Sequence, residues 1–122
     1  MTTTVTTTMQ LVVPPDPQLL RIVRLVASGL ASLGPLDLDA VEEVRVAADE
    51  LVSTLMEASD GAPVRLELSI NADTLSLEAS TAVSGELIVD PMTDRILDNV
   101  STRHEWRTVG GQAHGLVERS LS

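Results

Sequence analysis

The sequence contains two histidines, His104 and His114, and histidine is a residue type that can hold a metal ion or relay a proton. Gly110-Gly111 is a strong two-residue turn signal, and the alternating residues on both sides of it predict a β-hairpin. In that hairpin register His104 and His114 lie on opposite faces of the sheet, so they cannot share an ion. His114 lies opposite Arg107, and we interpret it as a surface residue rather than a catalytic group.

The carboxylates and hydroxyls show no catalytic arrangement either. Asp37 and Asp39 look like a carboxylate pair, but their position just before a predicted helix favours capping of its amide groups. The chain has no cysteine, which excludes disulfides, thiolate zinc sites and a catalytic thiol. Three serines are possible nucleophiles, yet none has a neighbouring His–Asp arrangement to activate it: Ser53, Ser80 and Ser84.

One predicted helix, at residues 39–59, carries the remaining candidate for chemistry. It contains the segment VRVAADELVSTLMEAS, in which Glu50 is followed four residues later by Thr54. The helical period places these two side chains on one face. Glu43, Glu50 and Glu57 recur every seven residues away from the apolar stripe, as a solvated helix face would. The solvated interpretation is the simpler one for Glu50.

Apolar periodicity predicts the elements that position these residues. The first helix has a predicted apolar face of Leu19, Ile22, Val23, Val26, Leu30 and Leu33. The second is expected to begin at Asp39 as its cap, and residues 81–89 are expected to form a loop. Because each strand has one mainly apolar face, we expect an α/β two-layer sandwich, a five-stranded mixed sheet with three helices on one face. The elements are a strand at 5–13, helices at 16–34 and 39–59, a hairpin at 64–80, a helix from 90 to 100 and a hairpin around Gly110-Gly111.

Composition limits the possible functions. The 122 residues predict one domain over 1–122, and 43 % of them are apolar although Trp106 is the sole aromatic residue. A net charge of −10 disfavours direct binding to nucleic acid or to an anionic membrane. The N-terminus lacks the features of a signal peptide, and no stretch is long enough to span a bilayer. A cytoplasmic location is therefore expected.

The order of motifs in the first half of the chain resembles a known family. A helix ended by Gly34-Pro35, then Leu-Asp-Leu-Asp, then an Ala-Asp-Glu helix is similar to the anti-sigma factor serine kinases of the GHKL, or histidine-kinase-like, ATPase superfamily of bacteria. The resemblance is strongest from about Arg21 to Ala58. It implies a Bergerat-like fold that binds ATP and magnesium. In that family the second helix carries a catalytic Glu, matched here by Glu50, and a magnesium-binding Asn four residues later, at the position of Thr54.

The motifs that hold nucleotide in that family are degenerate here. Thr54 replaces the Asn, and Thr81, Val83 and Gly85 stand where the family has the Asp and the two glycines of D-x-G-x-G. The glycine-rich lid is replaced by LIVDPMTDRI, which has no glycine and adds two carboxylates that would repel phosphate. Glu50, Thr54, Thr81, Val83 and Gly85 are therefore expected to be vestigial positions, with no cofactor and no catalytic residue.

The resemblance then implies a regulatory protein that binds a sigma factor, its anti-anti-sigma antagonist, or both, by partner exchange and as a homodimer. Arg21 and Arg24 are the candidates for partner contact, because arginine suits carboxylate-rich interfaces. One alternative is an active serine-protein kinase that uses ATP and magnesium on an anti-anti-sigma factor. Another is an unrelated two-layer domain with a closed apolar pocket for a small molecule.

Overall fold

Five strands and three α-helices make up residues 5–121, which are the residues that the computed structural model of the protein describes. Residues 1–4 and Ser122 of the predicted domain lie outside them. A single 3-10 turn, Pro17–Leu19, precedes the first helix. The elements in chain order are β1 (Thr7–Val13), α1 (Leu20–Ala31), α2 (Leu38–Ala58), β2 (Val64–Ile70), β3 (Thr74–Ala82), α3 (Pro91–Val100), β4 (Arg103–Val109) and β5 (Gln112–Ser120).

The strands form one sheet in the order β1-β2-β3-β5-β4. The five-stranded sheet and the three helices confirm the prediction of an α/β fold. Each neighbouring pair of strands is antiparallel, so the prediction of a mixed sheet is wrong. Two helices separate β1 from β2 and return the chain to the end of the sheet where β1 finished. The single helix α3 makes β4 run parallel to β3, but β5 lies between them and pairs with both.

The three helices pack on one face of this sheet. The packing is close where Leu51 of α2 meets Gly115 of β5, since a Cβ on that glycine would lie 2.4 Å from Leu51 Cδ1. On the same face, Asp94 of α3 contacts Trp106 of β4, and the loop after α1 contacts Ile70 of β2. Along β2, buried residues alternate with exposed or half-buried ones, so the other face of the sheet is uncovered.

The face of α1 that enters the core differs in part from the predicted one. Val23 and Leu30 are buried as expected, whereas Ile22 is 41 % exposed and Leu33 is 68 % exposed. The buried stripe runs instead through Leu20, Val23, Ala27, Leu30 and Ala31. Its alanines let α1 approach α2 closely, and Ile22 consequently lies on the flank of the helix, whereas Leu33 lies in the turn beyond the last helical residue, Ala31.

Several predicted boundaries also shift, since α1 is Leu20–Ala31 instead of 16–34 and β1 is Thr7–Val13 instead of 5–13. Asp37 caps α2, because its Oδ1 accepts a hydrogen bond from Ala40 N at 2.8 Å, and Asp39 lies in the first turn. The predicted loop at 81–89 is shorter, since Thr81 and Ala82 belong to β3. Asp90 caps α3 as expected and accepts from Met92 N at 2.8 Å.

The last hairpin has the register predicted from its turn. Gly110 and Gly111 have φ values of +57° and +77°, which glycine adopts without strain. Trp106 pairs with Gly115, and His114 pairs with Arg107. A Cβ at position 115 would lie 2.8 Å from the Trp106 ring, so the missing side chain makes room for the indole.

Candidate functional site

Glu50 is half-buried and makes a contact outside its own helix. Its Oε2 accepts a hydrogen bond from Thr93 Oγ1 of α3 at 3.1 Å, and Thr93 is 8 % exposed. Glu43, one heptad earlier, accepts from Arg119 of β5. Glu57 is exposed as a solvated face requires, whereas Glu43 and Glu50 are half-buried and also contact neighbouring elements, so the prediction holds only in part. The flank of α2 that carries them faces α3 and β5.

Thr54 uses its hydroxyl on its own helix. Thr54 Oγ1 donates to the carbonyl oxygen of Glu50 at 2.8 Å, and the residue is 8 % exposed. This is the back-bonding by which a threonine in a helix interior satisfies its hydroxyl. A cation at this position would need the hydroxyl oxygen to become accessible. The side chain is thus part of the α2 packing surface.

Thr81 is buried where β3 meets the turn that follows α2. It is 2 % exposed, and its Oγ1 donates to the carbonyl oxygen of Pro63 at 3.1 Å. Ser59 Oγ lies 3.3 Å from the same hydroxyl and donates to Ala62 O at 2.6 Å. The family resemblance places an adenine-reading Asp at position 81. Here that position ties β3 to the turn that follows α2.

Val83 and Gly85 behave differently from each other. Val83 is 7 % exposed, and its backbone amide donates to Gly111 O at 2.9 Å. Ser59 forms a β-bridge with Val83, so this residue extends the contact between α2 and β3. Gly85 is exposed, and a Cβ built on it would meet nothing within 4 Å. Gly85 therefore lies on the exposed loop after β3, two residues beyond Val83.

The segment LIVDPMTDRI, which stands where the resembled family has its lid, contacts β4 through Asp94. Asp94 Oδ1 accepts from Trp106 Nε1 at 2.9 Å and lies 2.9 Å from His104 Nε2. His104 Nδ1 is 3.4 Å from Asp98 on the next turn of α3. Asp90 caps the helix. The two carboxylates that were expected to repel phosphate thus have structural partners.

The predicted site residues therefore fall into three groups. Glu50 and Thr54 lie together with Thr93, while Thr81 and Val83 lie together around Ser59. Gly85 is separate. Sequence reasoning missed Thr93 and the Asp94 cluster, because both depend on where α3 packs. Thr93 and Asp94 lie within the segment LIVDPMTDRI. A helical period counted from the cap Asp90 predicts that Asp94 lies one turn beyond it.

The two candidate arginines on α1 differ in their environment. Arg24 Nε donates to Asp49 Oδ1 of α2 at 2.9 Å, and the Arg24 side chain is 39 % exposed. Arg21 is exposed and has no ion-pair partner within residues 5–121. Nearby, a hydrogen bond and the charge of Glu42 raise the pKa of Arg45. Arg21 is therefore free to meet a partner, whereas Arg24 would first have to share or leave Asp49.

A concave groove of about 530 Å³ lies on the uncovered face of the sheet. A smaller depression of about 150 Å³ lies between Arg24 and Asp49. Within residues 5–121 no three His, Asp or Glu side chains are grouped to hold a metal ion. None of the helices in that range has the length and apolarity that crossing a lipid bilayer requires.

Comparison with known proteins identifies no family. No family model matches the chain, and no curated protein sequence matches it.

Proposed function

We propose that the protein is an anti-sigma-factor-like regulator, which binds a sigma factor or its antagonist by partner exchange and without nucleotide. The observation that carries this proposal is the use of the candidate nucleotide-binding side chains inside the fold. Glu50 accepts from Thr93, Thr54 donates to a helix carbonyl, and Thr81 donates to Pro63 O. With these groups engaged, capture and release of a partner would run by competitive binding.

The fold is compatible with this family-level inference. We infer a Bergerat-like arrangement from the order of the elements and from the position of α2, which contacts β2, β3 and β5. The fully antiparallel sheet is a departure from the mixed sheet expected of that fold. The inference therefore depends on the α1–α2 region, where the sequence resemblance is strongest.

The partner surface is proposed to lie on α1. Arg21 and Leu25 are exposed on this helix, and Leu25 is 68 % exposed. An exposed leucine next to an unpaired guanidinium combines the apolar contact and the charged contact that protein interfaces use. This choice ranks Arg21 above Arg24, which is paired with Asp49.

Homodimerisation is proposed for the neighbouring edge of the molecule. β1 pairs with β2 alone among the described strands and leaves one side of its backbone free. Two exposed apolar side chains of β1 lie along that edge, Met9 at 44 % and Val12 at 50 %. Edge strands of this kind pair readily with another chain.

Affinity capture with the tagged protein from its host tests the regulatory proposal. The wild type is compared with Arg21→Glu and with the control Arg95→Glu, an exposed arginine on α3. We expect a sigma factor or its antagonist in the wild-type and Arg95→Glu eluates after nucleotide has been removed with apyrase. Loss of that protein with Arg21→Glu alone supports the surface on α1. Recovery of neither class of protein with the wild type would overturn the proposal.

A further inference from the structure

The uncovered face of the sheet carries its charges in rows that run across the strands. One row, from β2 to β4, consists of Arg65, Ser80, His114 and Arg107, which are cross-strand partners in that order. The next row contains Glu67, Glu78, Leu116 and Glu105. Both rows line the groove of about 530 Å³. A volume of this size is within the range of small-ligand sites, roughly 300–1,000 Å³.

The two arginines of the basic row are not paired with any carboxylate of the described residues. Neither Arg65 nor Arg107 has an ion-pair or hydrogen-bond partner within residues 5–121, and the same holds for the side chains of Ser80 and His114. Arg103, on the same face of β4, is in contrast paired with both Glu105 and Glu118. The groove therefore presents two free guanidiniums with an imidazole and a hydroxyl between them.

These four side chains can converge on one anion. The backbones of Arg65 and Arg107 are three strand spacings of about 4.8 Å apart. An arginine side chain is long enough to reach most of the way to the midpoint between them. Ser80 and His114 lie between the arginines and are half-buried, which gives the site a floor. Two guanidinium charges match a phosphate monoester, which carries a charge of about −1.5 to −2 at neutral pH.

The acidic row limits where the rest of the ligand can extend. Glu67 accepts from Gln10 Nε2 at 3.3 Å, and Glu105 is paired with Arg103. Glu78 has no such partner within residues 5–121 and lies two residues before Ser80 along β3, at a distance of about 7 Å. Glu78 can accept a hydrogen bond from a hydroxyl or an ammonium group, which a phosphate-bearing metabolite often has.

We propose that the uncovered sheet face is a binding site for a small phosphate monoester, held by Arg65 and Arg107 over Ser80 and His114, with Glu78 accepting from a hydroxyl group of the ligand. The site is separate from α1 and from the Glu50 region. It does not depend on the proposed regulatory function. The net charge of −10 lowers the affinity, but carboxylates more than about 8 Å away are screened at physiological salt.

NMR titration of the ¹⁵N-labelled protein tests this site, with inorganic phosphate and glycerol 3-phosphate as probes at constant ionic strength. We expect saturable shifts of the Ser80 and His114 amides and tighter binding of glycerol 3-phosphate. Arg65→Gln and Arg107→Gln should each weaken binding about tenfold or more. Arg95→Gln is the control for a general charge effect, since Arg95 is exposed on α3 and lies outside the groove, and we expect it to bind as the wild type does.

Three results would overturn the assignment. The first is an absence of saturable shifts in the wild type with either probe at concentrations of tens of millimolar. The second is an equal loss of binding in Arg95→Gln and Arg107→Gln, which would indicate a general charge effect. The third is tighter binding of inorganic phosphate than of glycerol 3-phosphate, which would remove Glu78 from the site. The wild-type titration decides the first question even if a variant fails to fold.

Discussion

At the residue scale, contacts around Gly115 set a tight steric limit in the described core. A Cβ at this position would lie 2.4 Å from Leu51 Cδ1 and 2.8 Å from the Trp106 ring. Leu51 is fully buried, so it cannot move away without disturbing its neighbours. The glycine therefore fixes the distance between α2 and the sheet.

We expect Gly115→Ala to lower the free energy of unfolding by about 1–3 kcal/mol, because an overpacked core must shift. Gly29→Ala is the matched control, since a Cβ there meets nothing within 4 Å and the residue is in the exposed part of α1. That change should raise the free energy of unfolding by about 0.5–1 kcal/mol. Urea denaturation measures both. A stabilising Gly115→Ala would contradict the packing described around Trp106.

Single residues also show what sequence could predict. The pairing of Trp106 with Gly115 was predictable, because a two-residue turn and strict alternation fix the register locally. The contact of Glu50 with Thr93 was not, since these residues are 43 positions apart and meet only when α3 packs on α2. A period of seven gave Glu43 and Glu50 a solvated environment, and the structure places a neighbouring element there.

At the element scale, α3 is held to β4 by Asp94. Its carboxylate accepts from the Trp106 indole and contacts His104. We expect Asp94→Ala to cost about 1–2 kcal/mol of unfolding free energy, because it leaves a part-buried indole N–H without its acceptor. Asp98→Ala is the control, since that side chain is 72 % exposed and 3.4 Å from His104.

Fluorescence of Trp106, the sole tryptophan, reports this contact directly in both variants. The emission of Asp94→Ala should change in the folded state, and that of Asp98→Ala should match the wild type. Equal effects of the two substitutions on stability and emission would show that Asp94 has no special role.

The start of α2 gives a second prediction at this scale. Asp37 Oδ1 accepts from Ala40 N, whereas Asp39 makes no capping hydrogen bond. We expect Asp37→Ala to lower the free energy of unfolding by about 1 kcal/mol, and Asp39→Ala by a few tenths at most. Thermal unfolding followed by circular dichroism compares them. The reverse order would mean that the helix begins where the sequence alone suggested.

Sheet topology was less predictable than the separate elements. The positions of all five strands followed from alternating residues and turn signals, and the helices of the described chain followed from caps and apolar stripes. Strand order depends on where each connection returns the chain, which no local pattern encodes. Two helices, α1 and α2, lie between β1 and β2 in the chain, and the direction in which β2 returns beside β1 is set by how these helices pack. The two strands are antiparallel, so the expectation of a mixed sheet was wrong.

At the scale of the whole molecule, self-association is proposed for the free edge of β1. We expect Met9→Glu to shift the protein from dimer to monomer in sedimentation velocity, because it places a charge beside that edge, where Met9 is 44 % exposed. Leu38→Glu is the control, since Leu38 is 87 % exposed at the start of α2 and lies outside that contact. A wild-type monomer at all concentrations, or a dimer of Met9→Glu, would contradict the proposed interface.

The central claim is that the nucleotide site is lost, and calorimetric titration with ATP and magnesium tests it most directly. The double variant Arg65→Gln/Arg107→Gln is used, so that phosphate binding on the open sheet face does not contribute heat. We expect no saturable heat up to millimolar ATP, because Glu50, Thr54 and Thr81 are engaged within the fold. Magnesium-dependent binding at micromolar ATP would contradict the claim and favour a serine-protein kinase.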